Sequence, residues 1–191
     1  GLLRAVIAEL ESEGFHVVGV DTLLPSLRAE AGILGAHAPD AQAEADVARG
    51  VAVLQALDHV DVGQGAVVQQ GIVLGVEAVE GTDAMIDRCS RLRRQGAGGV
   101  LVKFSKRGQD TRVDLPTIGP ETIARAAAAG LRGIAVEAGA TIVVEREELI
   151  RQADRAGLFD RVGSPPRPAH WSGCSPGIPS GRTSCAPKRW R

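Results

Sequence analysis

The 191-residue sequence predicts an α/β domain, with α+β as the alternative class, in which helices pack on a mixed sheet. Three observations carry that expectation. Segments of helical periodicity alternate with short aliphatic runs along residues 1–163. Two of those runs flank Gln69-Gln70-Gly71 within residues 66–76, as the arms of a β-hairpin would. Others, such as Val100-Leu101-Val102, are separated by helical segments, as strands joined by crossovers require. Hairpins and crossovers together mean a mixed sheet in a single domain.

Each element has a local cause. Residues 2–13 place Leu2, Leu3, Val6, Ile7 and Leu10 at helical spacing opposite Glu9, Glu11 and Glu13, and Gly14 stops the helix. Residues 15–20 read as a short strand, and residues 23–37 as a connector broken by Pro and Gly. Pro39-Asp40 opens a long helix to about Leu57, with Ala41, Ala45, Ala48, Val51, Ala52 and Leu54 available for its buried side. After the hairpin, Thr82 is placed to cap a helix over residues 83–95. Residues 100–104 form a buried strand, and Pro120 starts a helix that Gly130 ends. Residues 133–139 and 141–144 are strands, and residues 145–156 are the last helix, stopped by Gly157.

From Ser164 onward the composition changes to Pro, Ser, Gly and Arg, with both tryptophans and no hydrophobic period. Such a stretch buries too little apolar surface to offset an ordering entropy of about 1–2 kcal/mol per residue. Residues 164–191 are therefore expected to be a disordered basic tail, either natural or the product of a shifted frame or fusion. This tail holds five basic and no acidic residues, so the net charge of −1 conceals a body of −6. An acidic body argues against a nucleic-acid footprint. No apolar run approaches the roughly 18–20 residues of a membrane span, and the first residues do not form a signal peptide, so a cytoplasmic location is expected. The three cysteines have neither disulfide nor zinc spacing, and Cys89 reads as an inert helix residue.

Two acidic, Gly-punctuated segments, residues 76–85 and 103–116, join aliphatic runs to polar ones. Carboxylates there fall where strands end, a usual place for a hard cation and a phosphate in an α/β protein. Asp110 and Asp114 lie four apart in a loop opened by Gly108-Gln109 and closed by Leu115-Pro116. Beside Lys103, Lys106, Arg107 and Arg112 they could hold Mg²⁺, with Mn²⁺ as the alternative, while the cations bind a diphosphate. The same spacing fits a solvated turn of alternating charge. Thr82 and Asp83 fit an ordinary helix start equally well, or an anion and metal contact at that helix terminus. Gly63-Gln64-Gly65 lacks the third glycine of a dinucleotide loop, the four histidines form no i, i+4 pair, and Ser105 has no nucleophile motif.

Taken in order, Glu9-Leu10-Glu11-Ser12-Glu13-Gly14-Phe15, the run from Val67 through Glu80-Gly81-Thr82-Asp83-Ala84-Met85, Leu101-Val102-Lys103 with Gly108-Gln109-Asp110, residues 113–120 and Gly133-Ile134-Ala135-Val136-Glu137-Ala138-Gly139 resemble one known family. The resemblance is to the C-terminal domain of the UDP-2,3-diacylglucosamine pyrophosphatases of lipid A biosynthesis, in the branch unrelated to calcineurin-like phosphoesterases. It covers roughly residues 1–159. It implies a Mg²⁺-dependent hydrolase that gives UMP and 2,3-diacylglucosamine 1-phosphate at the cytoplasmic face of a Gram-negative inner membrane. Asp110 would then bind metal or activate water, with Asp83 and Asp114 as supporting ligands, Lys103 as a phosphate clamp and Gln109 as a catalytic polar contact. Arg112, Thr117 and Thr82 would contact the substrate. The implied partners are the lipid-linked sugar nucleotide, the membrane surface and a second copy of the chain. Family members carry a further N-terminal domain and end soon after the region of residues 157–159, so the activity is expected to be impaired where that domain is absent. The alternative expectation is a folded, inactive fragment that binds or dimerises.

Overall fold

The computed structural model describes residues 2–60, 62–106, 112 and 115–164. In chain order these form α1 (Leu2–Ser12), α2 (Val20–Leu23), β1 (Gly32–Ile33), α3 (Ala41–Leu57), β2 (Gly65–Gln69), β3 (Ile72–Val76), α4 (Gly81–Ser90) and β4 (Val100–Lys103). They continue as β5 (Thr117–Ile118), α5 (Pro120–Ala128), β6 (Gly133–Glu137), β7 (Ile142–Val143), α6 (Arg146–Ala156) and β8 (Phe159–Gly163), with single 3₁₀ turns at Pro25–Leu27 and Asp58–Val60.

Strands β2 and β4 are buried at every residue, and β6 at all but its last, so the sheet must be covered on both faces. On one face α3 lays Ala43, Val47, Val51 and Leu54 against Val100, Val102, Ala135 and Phe159. On the other, α4, α5 and α6 bring Met85, Ile86, Ile123, Ala126, Leu149 and Ala153 onto Val67, Leu101, Ile134 and Val136. The six strands run in the order β1-β8-β6-β4-β2-β3. Pairs β4/β6 and β6/β8 are parallel and the rest antiparallel, which gives the mixed sheet expected from the sequence. A separate parallel pair, β5 with β7, lies in the two crossovers. Close approach of α3 depends on Gly50, because a Cβ there would lie 2.6 Å from Val102 Cγ2.

The hairpin turns as expected, through Gln70 (φ 52°) and Gly71 (φ 77°), both left-handed. Helices α5 and α6 also start and stop close to their Pro and Gly signals. Cys89 is buried, and burial pushes its thiol above the ordinary range, in keeping with an inert role.

Several expectations are corrected. Residues 15–20 are not a strand: the Phe15 amide turns back to the Leu10 carbonyl at 3.0 Å, and α2 begins at Val20. The buried side of α3 is Ala43, Asp46, Val47, Gly50, Val51 and Leu54, so Ala41, Ala45, Ala48 and Ala52 were assigned to the wrong phase. On α1 only Ile7 of the described apolar residues is buried, while Val6 and Leu10 are exposed. Helix α4 stops at Ser90, and its N-cap is Glu80 without a side-chain bond. Thr82 is not the cap, because its hydroxyl is committed elsewhere, as described below. Strands β1, β5 and β8 were not anticipated. The expected disordered tail lies, beyond Ser164, outside the described residues.

Candidate anion site at the C-terminal edge of the sheet

Parallel strands β4 and β6 end side by side, with Lys103 opposite Val136. Strand alternation sends Val100, Val102 and then Phe104 toward α3, and Leu101 and Lys103 toward α4 and α5. Lys103 is thereby 8% exposed, and its Nζ donates to the Thr117 carbonyl of β5 at 3.2 Å. Burial pushes the ammonium below the ordinary lysine range, while the carboxylates of Glu77 and Asp83 act in the opposite direction.

Glu77 follows β3 and is fixed at both ends. Its amide donates to the Gly65 carbonyl at 2.8 Å, and its Oε1 accepts from the Thr82 hydroxyl at 2.9 Å. Its Oε2 is buried with no hydrogen-bond partner among the described residues. Such an orphaned oxygen is stabilised by a nearby positive charge, which Lys103 supplies. Asp83, in the first turn of α4, faces Arg125 Nε at 3.2 Å, and Arg125 also reaches Asp87 at 3.5 Å and Glu121 at 3.0 Å.

Two clefts open on this edge. One, of about 480 Å³, is lined by Asp83, Thr117, Gly119, Glu121 and Glu145 among others. The other, of about 440 Å³, includes Gly63, Gln64, Glu77, Val79 and Lys106. Just past β4, the amide of Ser105 donates to Glu137 Oε2 at 3.0 Å, and its hydroxyl donates to the same oxygen.

The fold therefore brings together four residues singled out in the sequence: Lys103, Thr82, Asp83 and Thr117. Arg112 lines a groove with Thr117, Val20, Leu27, Leu115, Ile142 and Val144, and its guanidinium meets Glu11 at 2.6 Å. Gln109, Asp110 and Asp114 lie outside the described residues. Sequence reasoning gave no role to Glu77 or Glu137. Each follows an aliphatic strand run directly, and that was the available signal.

Among the described residues no group of three or more His, Cys, Asp or Glu is arranged to hold a metal ion. Asp83 is the described member of the predicted set, and it is shared with Arg125. No helix among the described residues is long and apolar enough to cross a membrane.

A buried ammonium near the carboxylates of Glu77 and Asp83, at the edge where two parallel strands finish, is the polar centre of this α/β domain. A family model described as the LpxI C-terminal domain matches residues 30–159, and the chain belongs to that family. UDP-2,3-diacylglucosamine pyrophosphatase LpxI of Caulobacter vibrioides is 47% identical over 164 residues, which is 83% of this chain and 59% of that protein. The chain thus spans about three fifths of the length of the curated relative it matches.

Proposed function

We propose that this domain carries the diphosphate-handling part of a Mg²⁺-dependent hydrolase that splits UDP-2,3-diacylglucosamine into UMP and 2,3-diacylglucosamine 1-phosphate. The observation that carries this reading is Lys103, a nearly buried ammonium at the C-terminal edge of the sheet. Of its three N–H donors, one is bound by Thr117, and among the described residues no hydrogen bond takes the others, which are proposed to meet phosphate oxygens. The substrate is the one for which the Caulobacter vibrioides relative is named. Thr117 orients the ammonium, while Glu77 and Asp83 favour its charged form. A buried cation with fixed partners stabilises charge building on a diphosphate with little reorganisation.

Asp110 is proposed as the residue that binds metal or activates water, with Asp114 and Asp83 as supporting ligands and Gln109 as a polar contact. Magnesium, or manganese in its place, would supply charge neutralisation on the diphosphate. Turnover is proposed to take place in the cytoplasm, at the surface of the membrane that holds the acylated substrate.

The test is Mg²⁺-dependent release of UMP from UDP-2,3-diacylglucosamine by this chain. Asp110→Ala should lower the rate by about 100-fold or more. Retained turnover in that variant would remove Asp110 from the mechanism. Lys103→Met should lower kcat/KM of the folded protein by roughly 100-fold and also lower its melting temperature, because it leaves the Glu77 carboxylate buried without its cation. A folded Lys103→Met enzyme with full activity would refute the clamp.

A second reading is that this chain folds and binds or dimerises without turnover. Absence of UMP release from a chain with a cooperative melt would select it.

A further inference from the structure

We infer that Glu137 is a positioning residue for this site, acting through Ser105. The inference rests on the reading of Lys103 as a phosphate clamp and extends it to a residue on another strand. The ladder between β4 and β6 ends at Lys103 opposite Val136. One residue further along β6, the Glu137 side chain takes over from that ladder: a single carboxylate oxygen accepts both the Ser105 amide, at 3.0 Å, and the Ser105 hydroxyl. A charged acceptor makes a stronger tie than a backbone carbonyl. The tie grips the chain where it leaves the sheet.

Its place in the fold gives the tie its consequence. Lys103 lies two residues before Ser105, with its ammonium on the α4 and α5 face. Lys106 follows directly, and lines both the 440 Å³ cleft beside Glu77 and a smaller one of about 110 Å³ with Glu137, Gln55 and Asp58. One carboxylate therefore fixes the short backbone stretch from which two ammonium groups leave, without itself lining the cleft that contains Asp83 and Thr117. A cation misplaced by about 1 Å is enough for a 100-fold loss of rate.

The experiment compares UMP release by the wild-type chain with Glu137→Ala, Glu137→Gln and Ser105→Ala, with thermal melts as the control for folding. Glu137→Ala should lower kcat by roughly 10- to 100-fold with KM moved by less than about 3-fold, and Glu137→Gln, which keeps an acceptor for Ser105, should recover most of that loss. A residue that served stability alone would change the active fraction and the melt together, without this rescue. If Glu137→Ala fails to fold, Ser105→Ala, which removes only the hydroxyl donor, decides the matter through the same split. A folded Glu137→Ala chain with wild-type kcat overturns the inference, as does a folded Ser105→Ala chain with wild-type kcat where Glu137→Ala cannot be used. Hydrogen exchange at the Ser105 amide separates this from the reaction itself. If the wild-type chain releases no UMP, the proposed reaction fails on its own. The tie is then judged by exchange, where wild-type protection in Glu137→Ala overturns it and acceleration of about 10-fold or more supports it.

Discussion

Replacing Asp160 with Asn should stabilise the protein at neutral and alkaline pH and leave it unchanged near pH 4. Asp160 lies in β8, 2% exposed, with neither carboxylate oxygen hydrogen-bonded among the described residues. Burial raises its pKa from the ordinary carboxylate value of 3.8 to about 7, with a smaller contribution from the Asp154 carboxylate. The folded state therefore keeps the proton through a range in which the unfolded chain has released it. Between about pH 4 and pH 7 the native state binds more protons than the unfolded one, so stability falls as pH rises, then levels off above about 7. A shift of this size corresponds to an upper limit of roughly 4 kcal/mol. Asn has nearly the same shape and no charge, so the difference between variant and wild type should grow from near zero to several kcal/mol across that window. Urea unfolding at intervals from pH 4 to 8 measures it. Parallel curves for the two proteins would mean that Asp160 is satisfied and ionised in the folded state. Asp154→Asn should move the midpoint of the wild-type decline to lower pH, since it removes the like charge.

The opposite effect is expected at Asp46. This residue is 1% exposed on α3, yet it serves the turn of the β2–β3 hairpin: Oδ2 accepts from the Gln70 amide at 3.0 Å and Oδ1 from the Gly71 amide at 2.7 Å. Gln42 Nε2, one helical turn earlier, adds a third bond at 3.2 Å. Hydrogen bonds to a charged group contribute about 1.5–3 kcal/mol each, and water partly replaces them at the exposed turn. Asp46→Ala should accordingly destabilise the fold by about 2–4 kcal/mol, a fall in Tm of roughly 5–15 °C. Asp46→Asn, which keeps one carbonyl acceptor, should lose about half as much. A melt of Asp46→Ala within about 2 °C of wild type would show that the turn holds without it.

These two aspartates also explain where the sequence could and could not be read. The hairpin was legible because two aliphatic arms flank a short polar turn that ends in Gly71, a residue free to take left-handed backbone. The phase of α3 was not, because its alanines weigh little in any periodicity and its buried stripe contains Asp46 and Gly50, which look like surface. A carboxylate that faces inward to serve a distant turn cannot be recognised until the turn has been placed. Strand β8 was hidden in the same way, since Asp160 and Arg161 interrupt its aliphatic pattern, while β1 and β5 are two residues each. At the site, Lys103 was legible as a charge ending an aliphatic run. Thr82 was misread as a cap because its partner, Glu77, lies upstream of the helix. The Ser105–Glu137 tie joins residues 32 apart across a crossover, and spacing alone carries no trace of it.

Pairing of β1 with β8 sets Ile33 against Arg161, nearly the whole domain apart in sequence. During synthesis at about 5–20 residues per second, that edge waits several seconds after its first strand has emerged. The hairpin, by contrast, can form as soon as its own residues are available. Sheet assembly is thus expected to begin near β2 and β3 and to close last at β8. A chain interrupted before Phe159 would leave one side of β6 bare, a hydrogen-bonding edge open to other nascent chains.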